Sequence, residues 1–493
     1  MSIADNQIVH LPASIGMLSS LATLWVDHNQ ISELPPSIGQ LNNVQSLALD
    51  FNQLNSLPNQ FGDMTALVTL TISHNLLKYL PTSIGNLPNL RILDLNHNML
   101  RSLPQTVGFL RLMSELKCNA NQLTTVPTTI GECTALRQLD LSFNAISALP
   151  LEIGRLTKMK QLLLNNNRLD SIPASIGTMT LLQELNLFEN PLKGLPTELG
   201  NIQKLKTLVV DVNQLRTLPA TIGALGQLRE LQLGDNRIEN LPASIGSLTS
   251  LNTLILTDNN LPEIPAEIGY LTNLTFLSLS GNPITSLPLE IGGLSALRAL
   301  NLAKNSLISL PVSIGDLALL QVLHLHENEL EALPESIGDL SALTDLRLDH
   351  NNLTSLPPEV GVMSSLTELL LDGNQLNTLP LSIGRLTELQ VLNLDGNRLS
   401  LLPPEVAGMT ALRELWVHDN KLSVVPEGIA DLTNLNVLTL SNNELTVLPA
   451  NMTRLVSLNE LWIKDNNLKS HPFRQGLLPN LRVLLVDMGV KVV

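Results

Sequence analysis

The chain has 493 residues, a formal net charge of −15 and 44% apolar residues, but only 2% aromatics. That balance disfavours a nucleic-acid partner, which calls for a basic surface and bases stacked on aromatic rings. No apolar run reaches membrane-spanning length and Met1 opens no signal-peptide pattern, so the expected location is cytoplasmic.

The chain repeats from its first residues. Ile3, Asn6, Ile8, Leu11 and Pro12 occupy positions that recur every 23 residues, and residues 1–20 read as a truncated first repeat. Residues 21–480 then form twenty further repeats, and 481–493 are expected to be a terminal cap strand. Asparagine marks the period from Asn6 and Asn29 to Asn466 without an insertion, and proline does the same from Pro12 to Pro472. A length near 500 would ordinarily suggest several domains, but an unbroken period of this size predicts a single elongated solenoid.

Leu366–Glu388, LTELLLDGNQLNTLPLSIGRLTE, shows one unit clearly. Leu369 and Leu371 are two apart, so a strand sends both to one face and leaves Glu368, Leu370 and Asp372 on the other. Asn374 comes at a turn, where its amide can satisfy backbone groups of its own and the neighbouring coil. Pro380 lacks an N–H, so the return leg should be irregular or a short helical turn, not a ladder strand. Gly384 marks a place where a Cβ would hinder the backbone. The expected fold is therefore an α/β solenoid, a leucine-rich-repeat horseshoe with a concave parallel β-sheet and short irregular or 3-10 legs outside. Strands about 4.8 Å apart would make that sheet on the order of 100 Å long.

Departures from the frame carry information. Cys118 and Cys133 replace core leucines in one repeat and read as buried free thiols. Asn273, Asn352 and Asn451 match the glycosylation sequon, which such an Asn/Thr-rich repeat produces by chance. Towards the end the glycine column becomes Ala407, Ala430 and Thr453, then His471 replaces a leucine and Gln475 an isoleucine. After Leu481–Asp487 comes Met488-Gly489, where the asparagine ladder stops. Atypical terminal repeats are expected of a cap.

Frame residues explain the fold, so function is sought at the strand positions that face away from the core and at the adjoining turn. All three tryptophans fall in one such column: Trp25, Trp416 and Trp462. Interfaces enrich tryptophan. Trp416 and Trp462, two repeats apart with Thr439 between them, are expected to flank a shallow pocket rimmed by Glu414, Glu460, Asp419 and Lys464, with His418 beside it. Acidic residues outnumber basic ones in these columns, and Asp349, Asp372 and Asp395 stack in adjacent repeats, a repulsion that a basic partner would relieve. His324 and His326 project from one strand beside Arg347, and His28, His74, His97 and His350 face the same way. Spacing supplies no third and fourth ligand, so no metal is expected. No catalytic constellation or phosphate-cradling loop is present, so neither an enzyme nor a cofactor is expected.

The strict frame, with legs such as LPASIGSLTSLNTL (241–254) and LPPEVGVMSSLTEL (356–369), resembles a particular group over essentially all 493 residues. It is similar to the Shoc-type Ras–Raf scaffolds, the plant intracellular Ras-group-related leucine-rich-repeat proteins and the repeat domains of the Erbin/Scribble class. The resemblance implies a signalling scaffold whose concave face grips a Ras-like GTPase, in the Shoc case with a phosphatase catalytic subunit. This sequence lacks the phosphatase-docking tail, a Gly-Val-Tyr-Trp element and any PDZ, GTPase or kinase domain, so the phosphatase is the weaker expectation. The alternative is an immune or pathogen-type recogniser or effector that binds another protein on the same face. The chain is expected to be monomeric by itself.

Overall fold

The computed structural model describes residues 1–473 and 478–487, with the backbone of 491–492. Gln475, Met488 and Gly489, singled out above, lie outside the described residues. The chain divides into two compact units, residues 1–238 and 239–493. In the first, ten three-residue strands from Thr23–Trp25 to Glu230–Gln232 pair in parallel with a register of 23 residues: Leu24 lies opposite Leu47, and Leu47 opposite Leu70. The second repeats the scheme from Thr253–Ile255 to Glu460–Trp462 and adds Val483–Leu485. Ser2 bridges to Trp25, with the Trp25 N–H donating to the Met1 carbonyl at 3.0 Å, so residues 1–3 supply a shortened strand. A separate parallel pair, Ser470–His471 with Lys491–Val492, lies at the other terminus.

Short strands suffice because each repeat buries its leucines against its neighbours. Leu369, Leu371, Leu376, Ile383 and Leu386 are all fully buried. The return leg is a 3-10 turn, as at Leu381–Arg385 after the extended Pro380 (φ −67°). The proline carbonyl starts the turn by accepting from the Ile383 N–H at 3.0 Å. Proline thus donates nothing where no ladder partner exists and still accepts.

The asparagine column joins each coil to the one before. Asn374 Nδ2 reaches the carbonyls of Leu371 (3.0 Å) and Asp372 (3.3 Å) in its own coil and of Leu348 (2.8 Å) in the preceding coil. Its Oδ1 accepts from the Leu353 N–H at 3.0 Å. The glycine column proves to be a matter of close approach: a Cβ on Gly384 would stand 2.0 Å from the Glu405 carbonyl oxygen. Left-handed backbone is needed elsewhere, at the residue before each ladder asparagine. His28, His74, His350 and Asp419 all have φ of 52–53° there, and Gly373 and Gly396 share the column. Asp, Asn and His tolerate this region better than most side chains, which accounts for their frequency at that position.

Cys118 and Cys133 are buried and unbonded to each other. Burial raises both thiol pKa values, that of Cys133 to about 12, so neither forms thiolate at neutral pH. A thiol-specific chromogenic reagent should find both only after denaturation. Reaction of either in the native protein, or recovery of a disulfide, would contradict the buried-hydrophobe reading.

Candidate functional site

In the second unit, strands Glu414–Trp416, Val437–Thr439 and Glu460–Trp462 are adjacent and in register, placing Trp416, Thr439 and Trp462 in one row. The large–small–large sequence opens a gap over the middle strand. Thr439 is buried at its floor, and its Oγ1 accepts from the Val417 N–H at 3.1 Å. Both indoles are partly buried. The resulting pocket has a volume of about 540 Å³. It continues from the tryptophan row towards the turn, where His418, Asp419, Ser441, Asn442, Lys464 and Asp465 line it, with Asp395 and Leu485 at its two ends.

The rim differs in part from the expected one. Asp419 and Lys464 line the pocket, but Glu414 and Glu460 do not. The Glu414 carboxylate instead accepts from Trp416 Nε1–H at 3.1 Å and so orients that ring. Asp465, a charged neighbour of Trp462 in the sequence, also lines the pocket, whereas Asn442 and Ser441 were missed, although they stand in the same two columns as Asp419 and His418. Trp462 Nε1 is buried and has no hydrogen-bond partner among the described residues.

Three acidic residues, Asp395, Asp419 and Asp465, line the pocket together with one lysine, Lys464. Lys464 Nζ lies 3.7 Å from Asp465, and His418 Nε2 lies 3.1 Å from Asp419. Asp419 also accepts from Asn442 Nδ2. Burial raises the Asp395 carboxyl to about 6, despite the hydrogen bond that it accepts from the His418 N–H at 2.6 Å. Because the folded value is the higher one, the stability associated with this proton is present below the ordinary carboxylate pKa and is lost as pH rises through about 6. Asp395→Asn keeps an acceptor for His418 and removes the charge. After allowance for solvent screening it should stabilise the protein by about 1–2 kcal/mol at pH 7.5. Urea unfolding at pH 7.5 and pH 4 would measure this; an equal effect at both pH values would exclude ionisation as the cause.

The remaining acidic and histidine positions form a second cluster. Asp345, which the sequence pattern did not single out, is its centre: it holds His324 at 3.1 Å and Arg347 at 3.2 Å. Burial pushes the Asp345 pKa up, but hydrogen bonds from His324 and Arg347 outweigh it and the net shift is downward. His326 is shifted down, chiefly by burial. Asp372 is shifted up by burial and by Asp349, so the stacked aspartates do oppose one another's ionisation. His350 sits 3.3 Å from Asp349 and 3.8 Å from Asp372. These three residues offer donor atoms within 4.8 Å of one another, the described set nearest to a metal site. His350 is 63% exposed, and ordinary ion pairing accounts for the arrangement.

The first unit carries Trp25, 49% exposed, which does not line the pocket. It also carries a feature overlooked in the sequence: His28, Phe51, His74 and His97 form a continuous stack, with ring centroids 4.4, 4.1 and 4.1 Å apart. All four belong to the left-handed column at a spacing of 23, so their alignment was available from register alone. Burial, with His97 second, lowers the His74 pKa, and the stack favours neutral imidazole there.

With this geometry in place, the comparisons with known proteins are consistent. The leucine-rich repeat region model matches residues 1–78, 219–296 and 289–374, and other leucine-rich repeat models match 88–146, 388–409 and 410–468. A leucine-rich-repeat protein of Leptospira interrogans is 36% identical, covering 76% of this chain and 90% of its own, with a TM-score of 0.62. The plant peptide hormone receptor RGFR1, solved in complex with RGF2, is 30% identical over 100% of this chain and 86% of its own, with a TM-score of 0.76. YopM from Yersinia enterocolitica is 26% identical over 98% of this chain and 91% of its own, with a TM-score of 0.68. No curated protein sequence matches the chain. Among the described residues no helix is long and apolar enough to cross a membrane.

Proposed function

The chain belongs to the leucine-rich repeat family, and on that premise we infer that it is a non-enzymatic scaffold that binds a protein partner through the strand face of its second unit. Leucine-rich repeat proteins generally mediate protein–protein interaction, using the surface formed by stacked strands. The observation that carries the reading is the row Trp416, Thr439, Trp462: two indoles around an open pocket whose floor is a small, buried residue. Such rings supply apolar contact area at little conformational cost. The acidic cluster Asp345, Asp349, Asp372 and Asp395 extends the same face towards the preceding strands.

The finer reading is a cytoplasmic signalling scaffold for a Ras-like GTPase, with a phosphatase catalytic subunit as a less supported second component. It rests on the resemblance of the 23-residue frame to the Ras-associated repeat proteins. The test uses the full chain and its Trp416→Ala/Trp462→Ala variant, each immobilised and exposed to native lysate and to purified small GTPases loaded with GTP analogue or GDP. Retention of a GTP-loaded GTPase by the parent and not by the variant is the expected result. Equal retention of every partner by both proteins removes the pocket from the interface. Retention only of proteins unrelated to GTPases removes the Ras reading.

A second reading has an observation of its own. RGFR1, whose solved complex contains RGF2, matches this chain along its whole length, which favours a peptide as the ligand of the strand face.

A further inference from the structure

We propose that the Trp416–Trp462 pocket is a guanidinium site, which takes an arginine side chain of the partner between its indole walls and its acidic turn-side rim. This rests on the reading of the pocket as the partner-binding site and names the chemistry that it recognises.

The pocket has two kinds of wall. The tryptophan row supplies aromatic faces, and Trp416 is held in orientation by Glu414, so its electron-rich ring carries an adjacent negative charge. Cations over tryptophan faces are attracted by the ring quadrupole, and a planar guanidinium stacks there better than an ammonium does. On the turn side, Asp395, Asp419 and Asp465 present carboxylates to the same volume. The cation already present is not enough to neutralise them. Lys464 is 3.7 Å from Asp465, and among the described residues His418 is the only other basic group lining the pocket. A volume of about 540 Å³ exceeds what one arginine side chain fills, leaving space for the flanking peptide.

Alternative ligands fit less well. A carboxylate or phosphate would meet three like charges, and a purely apolar side chain would bury the rim carboxylates with no counter-ion, which is costly. An arginine stacks on the indoles with its carbon stem and ring-like head while its N–H fork reaches the carboxylates. Its arrival also offsets the burial that makes Asp395 hard to ionise, so binding should strengthen from pH 5 to pH 7.

The test is tryptophan fluorescence of the full chain carrying Trp25→Phe, which leaves the two pocket indoles as the reporters. The probes are Nα-acetyl-L-arginine methylamide and its lysine and citrulline counterparts, titrated at one fixed ionic strength. Saturable quenching by the arginine probe is expected, with citrulline, its neutral isostere, weaker by about ten-fold. Asp419→Asn combined with Asp465→Asn should weaken the arginine probe by about five-fold and leave the thermal midpoint nearly unchanged. Asparagine is chosen because both positions have left-handed backbone, φ 53° and 56°, which it tolerates. Citrulline or lysine binding as tightly as arginine, or no saturable arginine binding, overturns the proposal. In those cases, loss of the partner by Trp416→Ala/Trp462→Ala would show that the interface stands and only the guanidinium assignment has failed.

Discussion

Asn374→Ala should destabilise the protein by about 1–3 kcal/mol, because it removes a buried amide that joins two coils and orphans the Leu353 N–H. The side chain is buried, and alanine leaves the Leu353 N–H with no replacement in the interior, whereas the Leu348 carbonyl keeps Asn351 Nδ2 at 3.0 Å. The cost comes chiefly from that unpaired N–H, since the carbonyls of Leu348, Leu371 and Asp372 each keep another donor. Asn374→Asp would keep the acceptor for Leu353 but turn oxygen towards the carbonyls of Leu348, Leu371 and Asp372, so it should be no milder. Asn6 is the internal control. It is exposed, and its amide reaches only the carbonyls of Ile3 and Ala4 in its own coil. Asn6→Ala should cost less than roughly 0.5 kcal/mol, as surface substitutions usually do. Urea unfolding of the three variants decides the matter, and similar losses for Asn374→Ala and Asn6→Ala would refute the coil-to-coil role of the ladder.

Replacing both pocket tryptophans should have the largest effect on binding and a small one on folding. Trp416 and Trp462 lie on the strand face opposite Leu415 and Leu461, which are the buried residues of those strands. Trp416→Ala with Trp462→Ala is therefore expected to shift the thermal midpoint by only about 2 °C. Partner affinity should fall by more than roughly 2 kcal/mol, about thirty-fold, if the rings are the anchors of the interface. Trp25→Ala, in the first unit, should leave the affinity within about two-fold. Unfolding of the double variant would instead make the tryptophans part of the carboxy-terminal cap. A folded variant that binds as the parent does would shift attention to Asp349, Asp372 and Asp395, where Asp372 and Asp395 are both hard to ionise without a cation.

These expectations draw unequally on sequence and structure. The strands, the proline-led return legs and the row Trp416–Thr439–Trp462 were legible because an unbroken period of 23 sets register by counting: residues 23 apart must pair. A period says which column a residue occupies, and alternation along a strand says which face it takes. It says nothing of where side chains on one face lean. So Glu414 and Glu460 read as pocket rim, whereas one turned back to hold its own tryptophan and the other stayed outside.

Periodicity, and the need of each coil to bury its apolar face, were enough to establish the fold, the buried leucine and asparagine columns, and the burial of Cys118 and Cys133. Other features emerged only when the coils were stacked. Left-handed backbone fell to the column before each asparagine, as at His28 and Asp419, and the glycine column was reserved for close contact between successive legs. Register alone put His28, Phe51, His74 and His97 in one column, but that their rings lie parallel in one stack was decided by ring orientation, which depends on that backbone. Asp345 became the hub of the histidine–arginine cluster and Asp395 a carboxyl that ionises late, because both burial and partnership are set by atoms one or two coils away. Charge in these columns could be counted from the chain, but its strength depended on how much water each carboxylate kept.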